Sequence, residues 1–135
     1  RMGDPETQPI MMRLKSDLLD VLLHGAEGTL DQVELQWDRR AALGVVLAAH
    51  GYPLSPRKGD AITGLPADGP DGMVFHAGTV LDGEVLRTSR GRVHCATALG
   101  ESVKQAAQHA YELAASIEFD GRQLRTDIGH RAIKR

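Results

Sequence analysis

A chain of 135 residues, 41% hydrophobic and 25% charged, has the length of one ordinary domain and enough apolar content to bury a core without disulfides or a structural metal. Its single cysteine, Cys95, excludes an intrachain disulfide framework and a cysteine-cluster zinc site, and a net charge of −2 provides no positive field for nucleic acid. Apolar runs such as Ala41 to Ala49 fall far short of the ~20 residues that span a bilayer, and the N-terminus is polar and acidic rather than basic and then apolar, so neither a membrane anchor nor a secretory leader is expected and a cytoplasmic setting is.

Pro9 to His24 reads as one amphipathic helix, because Ile10, Leu14, Leu18, Val21 and Leu22 recur at spacings of three and four; Pro9 suits its first turn and Gly25 the position past its end. Gly25 to Arg40 is a polar connector holding Trp37. Ala41 to Ala49, rich in Val and Leu, is predicted as a buried strand. Gly, Pro and Asp dominate from Gly51 to Gly72, with a short strand at Ala61 to Thr63. Met73 to Leu81 is a second strand, Asp82-Gly83 a hairpin turn, Glu84 to Arg87 the return, and Arg92 to Ala98 a further strand of the same meander. A capping box opens the next helix: the Ser102 hydroxyl accepts from the backbone of Gln105 while Gln105 reaches back, and Val103, Ala106, Ala107, Ala110, Leu113, Ala114 and Ile117 form the buried stripe. One or two short strands are expected around Gly121 and Gly129. The pattern is α+β, with mostly antiparallel strands and a helix packed on them.

Common catalytic signatures are missing. Arg57-Lys58-Gly59 has the basic pair of a phosphate loop, but Tyr52 to Pro56 supplies no glycine and two prolines, so the backbone N–H groups that cradle phosphate are not provided. The six histidines share no ligand spacing, which favours scattered core and surface roles over a metal site, although His76 and His94 fall where cross-strand neighbours would. Cys95, inside a strand, reads as a small core residue. The sharpest local feature is the opening run, in which an arginine, two carboxylates and two hydrogen-bonding side chains project from a backbone restricted by Gly3 and Pro5. Such a loop can hold an anion with Arg1 and orient an amine or a metal-bound water with Asp4 and Glu6. Alternatively, Asp4, Glu6 and Thr7 only cap the helix that follows, worth ~1 kcal/mol.

The run Arg1-x-Gly-Asp-Pro-Glu-Thr-Gln-Pro-Ile-Met-Met-Arg-Leu-Lys-Ser-Asp-Leu resembles the end of the ATP-grasp domain of the phosphoribosylamine-glycine ligase (glycinamide ribonucleotide synthetase) family. The resemblance continues in order through Leu43-Gly-Val-Val-Leu-Ala-Ala, Gly51-Tyr-Pro, Arg57-Lys-Gly-Asp, Ile62-Thr-Gly-Leu, Val74-Phe-His-Ala-Gly-Thr, Gly91-Arg-Val, Thr97-Ala-Leu-Gly and Arg125-x-Asp-Ile-Gly-x-Arg-Ala-Ile, covering essentially the whole chain. It implies a division at 1–40, the last loop and helix of an ATP-grasp domain plus connector, and 41–135, a small C-terminal domain described as a β-rich, sandwich-like barrel with a helix. It also implies a reaction in the parent enzyme: glycine joined to 5-phosphoribosylamine with cleavage of ATP, through glycyl phosphate, in de novo purine (IMP) synthesis. ATP and Mg2+ (or Mn2+) would be held by motifs upstream of Arg1, a Glu-x-Asn among them, so the segment by itself is expected to be inactive and to act only when joined to N-terminal and ATP-grasp domains. Arg1, with Met2 behind it, is expected to mark a break inside a longer sequence.

By the same resemblance, Arg1 would neutralise the transferring phosphoryl group, Asp4 and Glu6 would line the side of the cleft that takes glycine and phosphoribosylamine, and Tyr52, Arg57 and Lys58 would lie on a loop closing over the ribose phosphate. A solvated basic turn is the competing reading of that last loop. Three departures stand out: Leu54-Ser55-Pro56 replaces the Gly-x-Tyr of many relatives, Met2 stands for phenylalanine, and Leu124 for a tyrosine before Arg125. A stand-alone scaffold domain that kept the fold and lost the chemistry is the alternative of a different class. In the C-terminal run, Arg125 and Asp127 are expected to pair locally, and the first helix to expose Leu14, Leu18 and Leu22.

Overall fold

The computed structural model describes residues 2–133, so Arg1, on which the expected phosphoryl contact falls, lies outside the described residues, as do Lys134 and Arg135. The element order is α1 (Thr7–Arg13), α2 (Leu18–Glu27), a 3-10 turn (Leu30–Gln32), β1 (Ala41–Ala48), β2 (Gly72–His76), β3 (Thr79–Asp82), β4 (Val85–Thr88), β5 (Arg92–Gly100), α3 (Val103–Ser116) and α4 (His130–Ile133). It is a mixed helix and strand fold with only antiparallel pairing among its named strands, as the sequence predicts.

The single helix expected over Pro9 to His24 is two. α1 closes with Leu14 N–H donating to Ile10 C=O at 2.9 Å, and the chain then turns extended at Leu14. The connector returns antiparallel beside it: Lys15 N–H donates to Gln36 C=O at 2.9 Å, Asp38 N–H to Arg13 C=O at 2.7 Å, and the Arg13 guanidinium to Asp38 C=O at 3.0 Å. Those bonds replace the intrahelical ones. Asp17 then caps α2 by accepting from Leu19 N–H at 2.8 Å. Gly25 sits inside α2, and Gly28, at φ 73°, ends it in the left-handed conformation.

The main sheet has the order β1-β5-β2, and β3 and β4 form a separate two-stranded ribbon. β5 is therefore not the next strand of a meander; it inserts between β1 and β2, pairing Val45 with Ala96 on one side and Val74 with Ala96 on the other. Its near-continuous run of small and apolar residues, buried from Val93 to Gly100, fits a central position with both faces covered. The long strand expected from Met73 to Leu81 breaks at Ala77-Gly78, where both N–H groups donate to Val93 C=O and a Cβ on Gly78 would collide with the backbone at Arg92. In the ribbon, Asp82 pairs with Val85, so the loop is Gly83-Glu84, one residue later than expected, with Gly83 supplying φ 62°.

α3 covers one face of the sheet. Ala106, Ala107, Ala110 and Ala114 are buried against β5 and β1, and Ile117 is fully buried beyond them. The close approach is built from small residues: a Cβ on Gly100 would collide with Ala106 N, and one on Gly72 would lie 2.7 Å from Leu113 Cδ1. Ser102 Oγ accepts from Gln105 N–H at 3.2 Å, but the Gln105 side chain reaches back to Glu101 N–H, at 2.8 Å, instead of to Ser102. The opposite face receives α1. At Gly44 a Cβ would stand 2.9 Å from Cys95 Sγ, 3.3 Å from Thr97 Oγ1 and 3.4 Å from Pro9 Cγ, so the missing side chain lets Pro9 lie against the sheet. Of the strands expected around Gly121 and Gly129, only a single bridge of Ala48 with Gln123 forms among the described residues, and the chain then enters the helix α4; Glu118, just before that span, bridges Thr63.

Candidate functional site

The seam between the opening loop and the edge of β1 holds a cavity of about 620 Å3, within the size range of ordinary small-molecule pockets. Val46, Ala48 and Ile128 contribute apolar wall; Asp4, Tyr52, Arg92 and Arg125 contribute polar groups. Its centre of charge is Arg92, the first residue of β5. The guanidinium donates through Nη1 to Asp4 C=O at 2.7 Å and lies 3.2 Å from Asp4 Oδ2, and it donates through Nε to Tyr52 Oη at 3.0 Å. The tyrosine and the carboxylate hold the Arg92 guanidinium above its ordinary pKa, the Tyr52 bond contributing most. The Tyr52 ring is seated against Gly91, where any Cβ would collide with it.

Of the residues singled out in the sequence, Asp4 and Tyr52 meet here, joined by Arg92. Glu6 does not line the cavity; it is exposed, at the N-terminal boundary of α1, and its carboxylate folds back over Gly3, where a Cβ would collide with Oε2. Helix capping does not account for the run either, because Glu6 makes no side-chain cap bond and Thr7 Oγ1 donates to Gly3 C=O at 2.6 Å. Lys58 is exposed and away from the cavity lining, and Arg57 is committed to Asp60 at 2.9 Å and Asp120 at 2.5 Å. Those two acids hold the Arg57 guanidinium above its ordinary pKa, Asp60 first. Leu54, where relatives were expected to carry glycine, is 95% exposed. Leu124 lines the cavity, and the expected Arg125-Asp127 pair is present in fork geometry at 2.8 and 2.9 Å. Tyr111 Oη fixes that turn, donating to Arg125 C=O and accepting from Ile128 N–H.

Sequence reasoning missed Arg92 as a site residue. Its motif, Gly91-Arg-Val, was legible, but its face was set by a register shift between Leu47 and Ala48, where Leu47 pairs with His94 and Ala48 with Arg92; that irregularity moves Arg92 off the face of His94 and Ala96 to the side of Gly44, Val46 and Ala48, where the opening loop lands. His76 and His94 do pair across the strands, with ring centroids 4.9 Å apart and edge to face. Both His94 nitrogens lack partners among the described residues, and burial, with His76 beside it, pushes its pKa down to about 4.

Fold and cavity together define a small antiparallel α/β domain whose sheet edge carries a polar-rimmed, ligand-sized pocket closed by an N-terminal loop. The model for the family "Phosphoribosylglycinamide synthetase, C domain" matches residues 42–131, and the chain belongs to that family. Among relatives, it is 58% identical over 135 residues to the phosphoribosylamine-glycine ligase of Ralstonia nicotianae and 57% identical over 136 residues to that of Vibrio vulnificus, in each case over 100% of this chain and 32% of the relative. A crystal structure of phosphoribosylamine-glycine ligase from Thermotoga maritima superposes with a TM-score of 0.81 at 38% identity, over 94% of this chain and 31% of that one. The chain thus spans about a third of the length of the enzymes it matches. No helix among the described residues is long and apolar enough to cross a membrane.

Proposed function

We propose that this chain is the C-terminal part of a cytoplasmic ligase that joins glycine to 5-phosphoribosylamine with cleavage of ATP, in de novo purine synthesis. The carrying observation is the 58% identity to a phosphoribosylamine-glycine ligase along the whole of this chain. In that reaction the glycine carboxylate takes the γ-phosphoryl group of ATP, giving glycyl phosphate and ADP; the amine nitrogen then attacks the carbonyl carbon, inorganic phosphate leaves, and the amine gives up a proton. Among the described residues no group of three His, Cys, Asp or Glu is placed to hold a metal ion, so the residues present do not fit Mg2+ or Mn2+. ATP and the metal would be bound by the preceding part of the enzyme, with Arg1 facing the phosphoryl group.

This chain's contribution is the seam cavity. It is large enough for a pentose phosphate, part of its wall is apolar, and Asp4 stands at its rim with a carboxylate 55% exposed, available to accept from the incoming amine. Residues 1–40 would form the end of the ATP-grasp domain and 41–135 a barrel-like C-terminal domain. Two observations support that boundary: the family match begins at residue 42, and α2 presents Leu19, Leu22 and Leu23 to solvent at 75, 54 and 54% exposure, a face suited to cover by a preceding domain. Glu6 and Lys58 would reach substrate only from that missing side.

The test is formation of glycinamide ribonucleotide from ATP, glycine and phosphoribosylamine. The complete polypeptide should turn over and residues 1–135 alone should not. In the complete polypeptide Asp4→Asn should lower kcat/KM for the amine by about tenfold or more, an effect of the size expected of a lost orienting group. Turnover by the isolated segment, or a complete polypeptide with no ligase activity, would sink the assignment.

A further inference from the structure

We infer that Arg92 is a positioning residue: its guanidinium is the clasp that sets the opening loop, and with it Asp4, over the cavity, and Tyr52 acts on that clasp and not on substrate. The inference rests on the proposed reading of the cavity as the amine site and adds to it which residues hold the site together.

Three observations carry it. First, among the described residues the hydrogen bonds from Gly3 to Glu6 are local, Thr7 Oγ1 to Gly3 C=O and Ile10 N–H to Glu6 C=O, except those from Arg92 Nη1 to Asp4. Arg92 is the polar tie between this loop and the sheet. Second, the tie reaches both the backbone carbonyl and the carboxylate of one residue, 2.7 and 3.2 Å away, so it fixes the position of the loop and also the direction in which the Asp4 side chain points. Third, Tyr52 is not free to serve a ligand as its loop position in sequence implies. Its ring rests against Gly91 with Pro56 Cβ close by, and its hydroxyl oxygen accepts from Arg92 Nε at 3.0 Å. One end of the guanidinium fork is thereby held rigid while the other end holds Asp4. Nη2 is left over; among the described residues it has no hydrogen-bond partner, and it belongs to a residue that lines the cavity.

The chemistry that follows is geometric. A loop that wanders by an ångström costs a reaction between two bound substrates up to about a hundredfold, so loss of the clasp appears in turnover before it appears in stability. Lysine, a single point charge, cannot span both partners as the planar fork does.

The experiment uses the complete polypeptide and the variants Arg92→Gln, Arg92→Lys, Tyr52→Phe and the double variant Arg92→Gln with Tyr52→Phe. Amide hydrogen exchange over residues 3–7 should speed up by about tenfold or more in Arg92→Gln and by less in Arg92→Lys, while exchange in β5 and α3 stays as in the parent. In steady-state kinetics kcat should fall by about tenfold to a hundredfold in Arg92→Gln, with partial return in Arg92→Lys and little change in KM for ATP. Tyr52→Phe should cost several-fold on its own and nothing further in the Arg92→Gln background. Unchanged exchange over residues 3–7 in Arg92→Gln overturns the clasp, whatever the activity. Multiplying losses in the double variant overturn the assignment of Tyr52 and return it to substrate. A complete polypeptide without ligase activity overturns the proposed function alone, because the exchange measurement still reads the clasp.

Discussion

His94 is a buried imidazole with no hydrogen-bond partner among the described residues, at 0% exposure on the face of β5 shared with Leu47 and Ala96. An unpaired buried polar group costs about 1–3 kcal/mol, so the position is one where an apolar side chain would serve the fold better. Titration makes the cost depend on pH. The folded pKa is about 4 against an ordinary 6.5, so between those values the unfolded chain binds the extra proton. The titration penalty is absent above pH 6.5 and grows as pH falls toward 4, so that stability drops across that window by a total of ~3 kcal/mol. His94→Leu should therefore raise the urea midpoint at pH 7 and remove much of the fall in stability between pH 7 and pH 4.5; equal pH slopes for parent and variant would show that His94 titrates as it does in the unfolded chain. The pairing of His94 with His76 was legible from strand spacing. Its burial was not, since nothing in the alternation around Arg92 to Ala98 announces a strand covered on both faces.

At the scale of elements, what could be read were the features with strong local chemistry. α3 carries its alanine stripe and Ser102 cap where the sequence puts them, and β1 ends one residue short of its expected limit. What could not be read depended on segments far apart in the chain. The periodicity from Ile10 to Leu22 is intact, yet Trp37 and its neighbours supply backbone bonds that stop α1 at Arg13; Ser16 and Asp17, both capping residues, were the local clue to a second start. Asp38 takes part from its own side, its carboxylate forked by Arg40 at 2.8 and 3.1 Å and held well below the usual carboxylate range by that pairing. The seating of α1 has a simple test. Gly44→Ala inserts a methyl 2.9 Å from Cys95 Sγ and 3.4 Å from Pro9 Cγ. It should destabilise the fold by about 1–3 kcal/mol as overpacking does, measured by denaturant unfolding. A neutral Gly44→Ala would mean that Pro9 is not seated on the sheet.

For the whole molecule, the apolar face of α2 is the feature that composition could not disclose. The sequence pointed to Leu14, Leu18 and Leu22; Leu22 is exposed, the first two are half-buried, and Leu19 and Leu23 complete the face. Residues 1–135 alone should self-associate with rising concentration, and replacing Leu19, Leu22 and Leu23 together by serine should keep the chain monomeric in sedimentation without lowering its unfolding midpoint, because α2 buries none of its residues. Monomeric behaviour of the unsubstituted chain at high concentration would remove the patch as an interface. The strand order has a consequence for how the molecule comes off the ribosome. β1 and β2 do not pair with each other; each pairs only with β5, and the partner of Ala41 is Gly100. Every ladder bond of the main sheet therefore waits for the last of its strands to be synthesised, and until then β1, with its run of Leu and Val, is an open edge in search of a neighbour. The emerging chain is most exposed to mispairing across that interval.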